Sequence, residues 1–203
     1  MRSLNLLADM QKVSRGDVVP TAWKNRLGTT QELLTWPPTD HWRVRLSVAA
    51  IEQSVDFSRF DGITRWFSVI DGDGLDLLID HEQTSLGVTS DPLCFSGELP
   101  CAARLNGGMV HAFNVMFANG FEGRVSRVRS GESVALESAE FVGVYGVEPA
   151  TCELGLDGVS LRANDLVWTA DLTDSHRSVF VRDGHCLVVM GKSRSHEPVA
   201  VVI

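Results

Sequence analysis

The chain has 203 residues, of which 44% are hydrophobic, 22% charged and 7% aromatic, with a net charge of −8. This apolar fraction excludes disorder as the main state, and the length allows one or two domains with a real core. The longest apolar runs, Cys186–Met190 and Val199–Ile203, fall far short of the roughly 18–20 residues that a membrane-spanning helix needs.

In chain order, the opening MRSLNLLADM is interrupted by Asn5 and Asp9, so no secretory leader is expected there. Leu4–Lys12 could form a short turn of helix. Helical periodicity is scarce thereafter. The alternating or apolar stretches predict strands over Arg43–Ile51, Thr64–Ile70, Leu75–Ile79, His111–Phe117, Gly123–Val128 and Phe141–Tyr145. Further strands are predicted over Leu166–Thr169, Val179–Arg182, Cys186–Met190 and Pro198–Ile203. Turn pairs such as Asp61-Gly62, Asn119-Gly120 and Ser130-Gly131 punctuate them. Two of the connections read as hairpins, one through Asp71-Gly72-Asp73-Gly74 and one through Asp183-Gly184. Many short strands at regular spacing predict an all-β fold of two jelly-roll-like barrels with little helix. Asn119-Gly120 offers the seam, giving one barrel over 1–118 and a second over 119–203.

Residues 1–100 carry 9 Lys/Arg against 14 Asp/Glu, and residues 101–203 carry 9 against 12. Neither half is basic, so no nucleic-acid partner is expected. The densest basic stretch, Arg124 to Arg129, reads as a solvated strand face. The four cysteines, Cys94, Cys101, Cys152 and Cys186, form no CxxC, and they read as reduced thiols of a cytoplasmic protein. Spacing alone leaves a Cys94–Cys101 bridge open.

Three stretches resemble the HutD/Ves family of bicupins. Trp23-Lys24-Asn25-Arg26-Leu27-Gly28-Thr29-Thr30-Gln31-Glu32 is similar to the family's WKNGGGxTxE opening. Trp42-Arg43-Val44, Phe57-Ser58-Arg59-Phe60-Asp61-Gly62-Ile63-Thr64-Arg65 and Gly72-Asp73-Gly74 resemble WRxS, FSxFxGxxR and GxG. Phe95-Ser96-Gly97, Leu105 to Gly108 and Phe113-Asn114-Val115-Met116 resemble FxG, LxxG and the end of DFNxM. The order and spacing of these pieces cover residues 23–116. The departures are specific: Arg26 and Leu27 replace paired glycines, Arg45 replaces a serine, and Ala112 replaces an acid. Phe117-Ala118-Asn119-Gly120 stands where the family has an arginine-rich stretch. The chain is therefore identified as a divergent member.

The resemblance implies a lumen lined by Asn114, and strand alternation then adds Ala112 and Met116. Arg65 shares its face with Phe67 and Val69, where a cation is costly to bury alone. It either pairs internally, with Glu32 or Asp61, or grips a ligand carboxylate. Arg43 shares a polar face with Arg45 and Ser47 and is a further ligand candidate. Trp23, Asn25 and Glu32 belong to a loop that the resemblance places near the site. The candidate ligand-binding set is thus Trp23, Asn25, Glu32, Arg43, Arg65, Asn114 and Met116.

No HxH occurs among His41, His81, His111, His176, His185 and His196, so neither a metal nor another cofactor is expected. His111 alternates away from Asn114. No GxSxG, Walker or GxGxxG pattern is present, and no catalytic residue is assigned. Asp71-Gly72-Asp73-Gly74 reads as a turn, not a calcium loop. The leading expectation is a non-enzymatic small-molecule-binding protein. By resemblance it would sense or limit histidine utilisation through a small acidic ligand such as a formylated or formiminated glutamate. The alternatives are a metal-free cupin isomerase or hydrolase, and a structural module whose barrel faces form a homodimer.

Overall fold

A computed structural model describes residues 10–155, 157–172 and 176–194. The strands of the first part are β1 (Gln11–Ser14), β2 (Thr21–Ala22), β3 (Gly28–Trp36), β4 (Val44–Ile51), β5 (Val55–Asp56) and β6 (Ile63–Asp71). They continue with β7 (Leu75–Ile79), β8 (Glu82–Leu86), β9 (Leu93–Ser96), β10 (Cys101–Leu105) and β11 (Val110–Ala118). The second part holds β12 (Phe121–Arg129), β13 (Ser133–Ala135), β14 (Phe141–Gly146), β15 (Ala150–Leu154), β16 (Asp157–Leu161), β17 (Asp165–Thr169), β18 (Ser178–Asp183) and β19 (His185–Ser193). The helical content of the described residues is one 3-10 turn at Arg15–Asp17. The predicted strand Pro198–Ile203 and most of the predicted turn at Leu4–Lys12 lie outside the described residues. Gln11 and Lys12 are in β1, extended and not helical.

The first sheets run β2-β3-β4-β11-β6-β9 and β5-β10-β7-β8. Leaving aside β2 and β3, the same order recurs with each strand number advanced by eight, as β12-β19-β14-β17 and β13-β18-β15-β16. Each pair of sheets closes on its own apolar interior. In the first barrel this is Ile51, Phe67, Val69, Leu75, Leu77 and Ala112 with their neighbours. In the second it is Val142, Val144, Cys152, Leu154, Val179, Val181 and Val188 with theirs. β1 crosses over, pairing antiparallel with β17 and so adding a strand to the second barrel's sheet.

The outer faces of the two large sheets make a third core. Alternation sends Val44, Leu46, Val48, Phe113, Val115 and Phe117 away from the first lumen, against Phe121, Phe141, Tyr145, Leu166, Leu187 and Val189. Phe113 stacks on Tyr145 with centroids 4.6 Å apart. The fit at this seam needs glycine: a Cβ at Gly123 would sit 2.2 Å from the Phe117 ring.

Two predicted hairpins are not hairpins. β6 belongs to one sheet and β7 to the sheet facing it, so Asp71 to Gly74 carries the chain across the barrel. Asp183-Gly184 does the same between β18 and β19. Both turns use positive φ, at Gly72 (99°), Gly74 (85°) and Gly184 (85°). The dipeptides signal a chain reversal in either case; only the partner strands decide whether the reversal closes a ladder. Asp73 accepts a hydrogen bond from the backbone N–H of Gly108 at 3.2 Å, in keeping with a turn role.

The stretch from Arg124 to Arg129 is only partly solvated. Arg124 and Arg129 are exposed, but Arg127 is buried. Its Nε donates to the Ser90 carbonyl at 2.7 Å and its Nη2 to the Val69 carbonyl at 2.9 Å, so a side chain of β12 clasps the first barrel. Its Nη1 lies 2.9 Å from Nε2 of His185. Burial and the neighbouring Arg127 push the His185 imidazole down to about 4, which leaves it neutral and able to accept that bond.

Candidate functional site

The mouth of the first lumen is open. A cavity of about 390 Å³ lies there, walled by β4, β6 and β11 and covered by the Trp23–Asn25 loop and the Asp56–Phe60 segment. Its inner wall is three rows read directly from the strand register. Arg45, Met116 and Arg65 lie side by side; next come Ser47, Asn114 and Phe67; then Ala49, Ala112 and Val69. The first two rows line the cavity, together with Ala49. Ala112 faces the lumen as alternation requires, but sits in its filled apolar part.

Arg65 is the unusual group. It is 4% exposed, and its guanidinium carbon lies over three rings, 5.1 Å from Phe95, 5.3 Å from Phe57 and 5.5 Å from Phe60. Its Nη2 reaches Oδ1 of Asn114 at 3.4 Å, and its Nε has no partner. Among the described residues no carboxylate pairs with it. Glu32, one of the two internal partners considered, accepts instead from Arg45 Nε at 2.6 Å. Burial, opposed by the nearby Cys101 and reinforced by Arg45, brings the Arg65 guanidinium down to about 10. It therefore remains a cation at neutral pH.

The loop that caps the cavity has a defined origin. Trp23 Nε1 donates to Thr30 Oγ1 at 2.7 Å, and the ring meets Phe57 edge-on at 6.2 Å. Asn25 Oδ1 accepts the Leu27 N–H at 3.1 Å, an Asx-type turn. Arg26, at a glycine position of the resembling motif, takes φ of 59°. Gly28 cannot carry a side chain, because a Cβ would lie 2.4 Å from the Ala50 carbonyl oxygen and 2.9 Å from the Trp23 ring.

Of the seven residues singled out from the sequence, Trp23, Asn25, Arg65, Asn114 and Met116 line this cavity, and Glu32 and Arg43 do not. Glu32 stands at the rim as the partner of Arg45. Arg43 precedes β4 and turns toward the seam, 6.0 Å from the Trp36 ring and 3.7 Å from a Glu140 oxygen. Arg45, on the same polar face, is the one that enters. Sequence reasoning missed the aromatic box of Phe57, Phe60 and Phe95. Phe57 and Phe60 were within the FSxFxG stretch, three residues apart, but nothing local marked them as partners of Arg65.

His111 lies outside the cavity, with Nδ1 3.1 Å from Asp71. Among the described residues no group of three or more His, Cys, Asp or Glu could hold a metal ion. All four cysteines are free thiols, and burial pushes the Cys101 thiol up to about 11. No described helix is long and apolar enough to cross a membrane. A second hollow of about 460 Å³ opens beside Gly123, Arg124, Glu137 and Met190, on the second barrel.

Two jelly-roll barrels on a shared seam, one open above a buried cation, define the protein as a bicupin. A cupin barrel protein from Leptotrichia buccalis has the same fold, with a TM-score of 0.54 over 91% of this chain and 96% of that one, at 7% identity. The chain belongs to the HutD family, whose model matches residues 15–188. The structure of HutD from Pseudomonas fluorescens superposes with a TM-score of 0.76 and 27% identity, covering 91% of this chain and 99% of that one. An uncharacterized 21.2 kDa protein in the hutC 3′ region of Pseudomonas putida is 34% identical over 114 residues, 55% of this chain and 60% of that one. The protein Ves of Escherichia fergusonii is 33% identical over 98 residues, 46% of this chain and 50% of that one. These two matches span about half to three-fifths of the relatives' own lengths.

Proposed function

We propose that the protein binds a small carboxylate-bearing metabolite in the first lumen without transforming it, with Arg65 gripping the carboxylate. The observation that carries this reading is a buried guanidinium with an unpartnered Nε and, among the described residues, no carboxylate partner, at the wall of an open cavity. Burying such a cation is costly, and an anion that supplies paired oxygens offsets the cost. Asn114 stands beside it, with Ser47 next to Asn114 in the same row, to receive an amide or formyl end. The flanking rings exclude water and sharpen the charge interaction.

The family relation and the P. putida relative's place beside hutC support a link to histidine utilisation. A formylated or formiminated glutamate has the carboxylates and the amide-like end that this cavity suits. The role that follows is sensing or limiting the pathway, carried out in the cytoplasm.

Thermal melts with N-formyl-L-glutamate, glutamate and formate test the reading on wild type and Arg65→Met. The melting temperature of wild type should rise with ligand concentration, and that of the variant should not. Equal responses, or none from any carboxylate, would sink it. Mass spectrometry of a binding ligand after long incubation should return it unchanged; a product would favour the enzyme alternative.

A further inference from the structure

We propose that Arg45 is a specificity-determining residue of this cavity, making it select compact dicarboxylates over monocarboxylates, and that Glu32 is the counter-ion Arg45 releases when such a ligand enters. This rests on the reading that Arg65 takes a carboxylate. Arg45 and Arg65 flank Met116 in one row, on strands either side of β11. Two strand spacings put their Cα atoms about 10 Å apart. Between them lies only a thioether, and in the next row the neutral Ser47 and Asn114.

The two cations are held differently. Arg65 is fixed among three rings, whereas Arg45 is a side chain at 23% exposure with a single carboxylate partner. Its Nε goes to Glu32, its Nη1 touches the Met116 sulfur at 3.7 Å, and its Nη2 bonds to nothing among the described residues. Glu32 is 48% exposed, so its charge is hydrated and its hold on Arg45 is screened. The one carboxylate in the cavity lining, Asp56, is 3.4 Å from Arg104. Two like charges therefore face one hollow, with Lys24 also at its edge. A monoanion answers Arg65 alone. A second carboxylate reaching across Met116 meets Arg45 inside the cavity, where a forked pair is stronger than the exposed pair with Glu32.

Calorimetric titration with glutarate and with its monoamide separates the two charges at nearly constant shape. Wild type should bind glutarate about tenfold more tightly than the monoamide, and Arg45→Gln should bring the two within about twofold by weakening glutarate alone. Glu32→Gln, at an exposed position, should tighten glutarate and leave the monoamide unchanged. A preference that persists in Arg45→Gln, or its absence in wild type that binds the monoamide, overturns the role of Arg45. Weaker glutarate binding by Glu32→Gln overturns its release and makes it a positioning residue for Arg45. Failure of wild type to bind either probe refutes the Arg65 reading itself, and this proposal with it.

Discussion

Replacing Arg65 by methionine should stabilise the unliganded protein, the opposite of what loss of a structural tie would do. Burial lowers the guanidinium from 12.5 to about 10. Below pH 10 the group is charged in both the folded and unfolded chain, so at neutral pH the whole cost, ~3 kcal/mol, is present. The three rings return part of it through cation–π attraction, roughly 0.5–1 kcal/mol each, and the 3.4 Å contact to Asn114 adds little. Methionine keeps an unbranched stem and a polarisable sulfur among the same rings. The net expected gain is up to ~1.5 kcal/mol, or a rise of up to about 3–6 °C in melting temperature for a chain of this size. Calorimetric melts in ligand-free buffer, checked by urea unfolding, measure it. A fall of several degrees would refute the argument and make Arg65 a structural residue.

Arg26→Gly should raise stability by ~1 kcal/mol, since Arg26 holds φ of 59° where glycine is free of strain, and urea midpoints would show it. Gly123→Ala should cost ~2 kcal/mol or more, because its Cβ would meet the Phe117 ring at 2.2 Å and the Met190 carbonyl oxygen at 2.5 Å. An unchanged melting temperature there would contradict the packing described for the seam. Stability should also fall as pH drops from about 6.5 to about 4 and not through His185 below that, because its folded value is depressed and the unfolded chain takes the proton first. Allowing for partial exposure the loss is ~1–2 kcal/mol, and His185→Gln should flatten that part of a stability–pH curve.

The long strands declared themselves because one face of each packs on an apolar core: Val44, Leu46 and Val48 alternate with Arg45, Ser47 and Ala49, and β6 and β11 follow suit. Short edge strands such as β8, with four exposed residues of five, carry no such pattern. β3 escaped notice for a related reason, since Thr29, Thr30, Gln31 and Glu32 are polar on both faces and a bulge breaks its register between Glu32 and Leu34. At the site, alternation grouped Arg65 with Phe67 and Asn114 with Met116. It could not say where β4 begins, and so Arg43, just outside the strand, drew attention that belonged to Arg45. The box around Arg65 comes from segments some thirty-five residues apart, Phe57 and Phe60 against Phe95, which only the closed barrel brings together.

The proposed ligand recognition depends on one contact, an anionic ligand group against the Arg65 guanidinium inside the first barrel. A crystal structure of the protein grown with N-formyl-L-glutamate would test it most directly. The predicted result is a carboxylate within about 3 Å of Arg65, its Nε no longer unpartnered, and Met116 and Asn114 against the same molecule. Ligand density in the hollow beside Arg124 and Met190, with the first lumen empty, would contradict it.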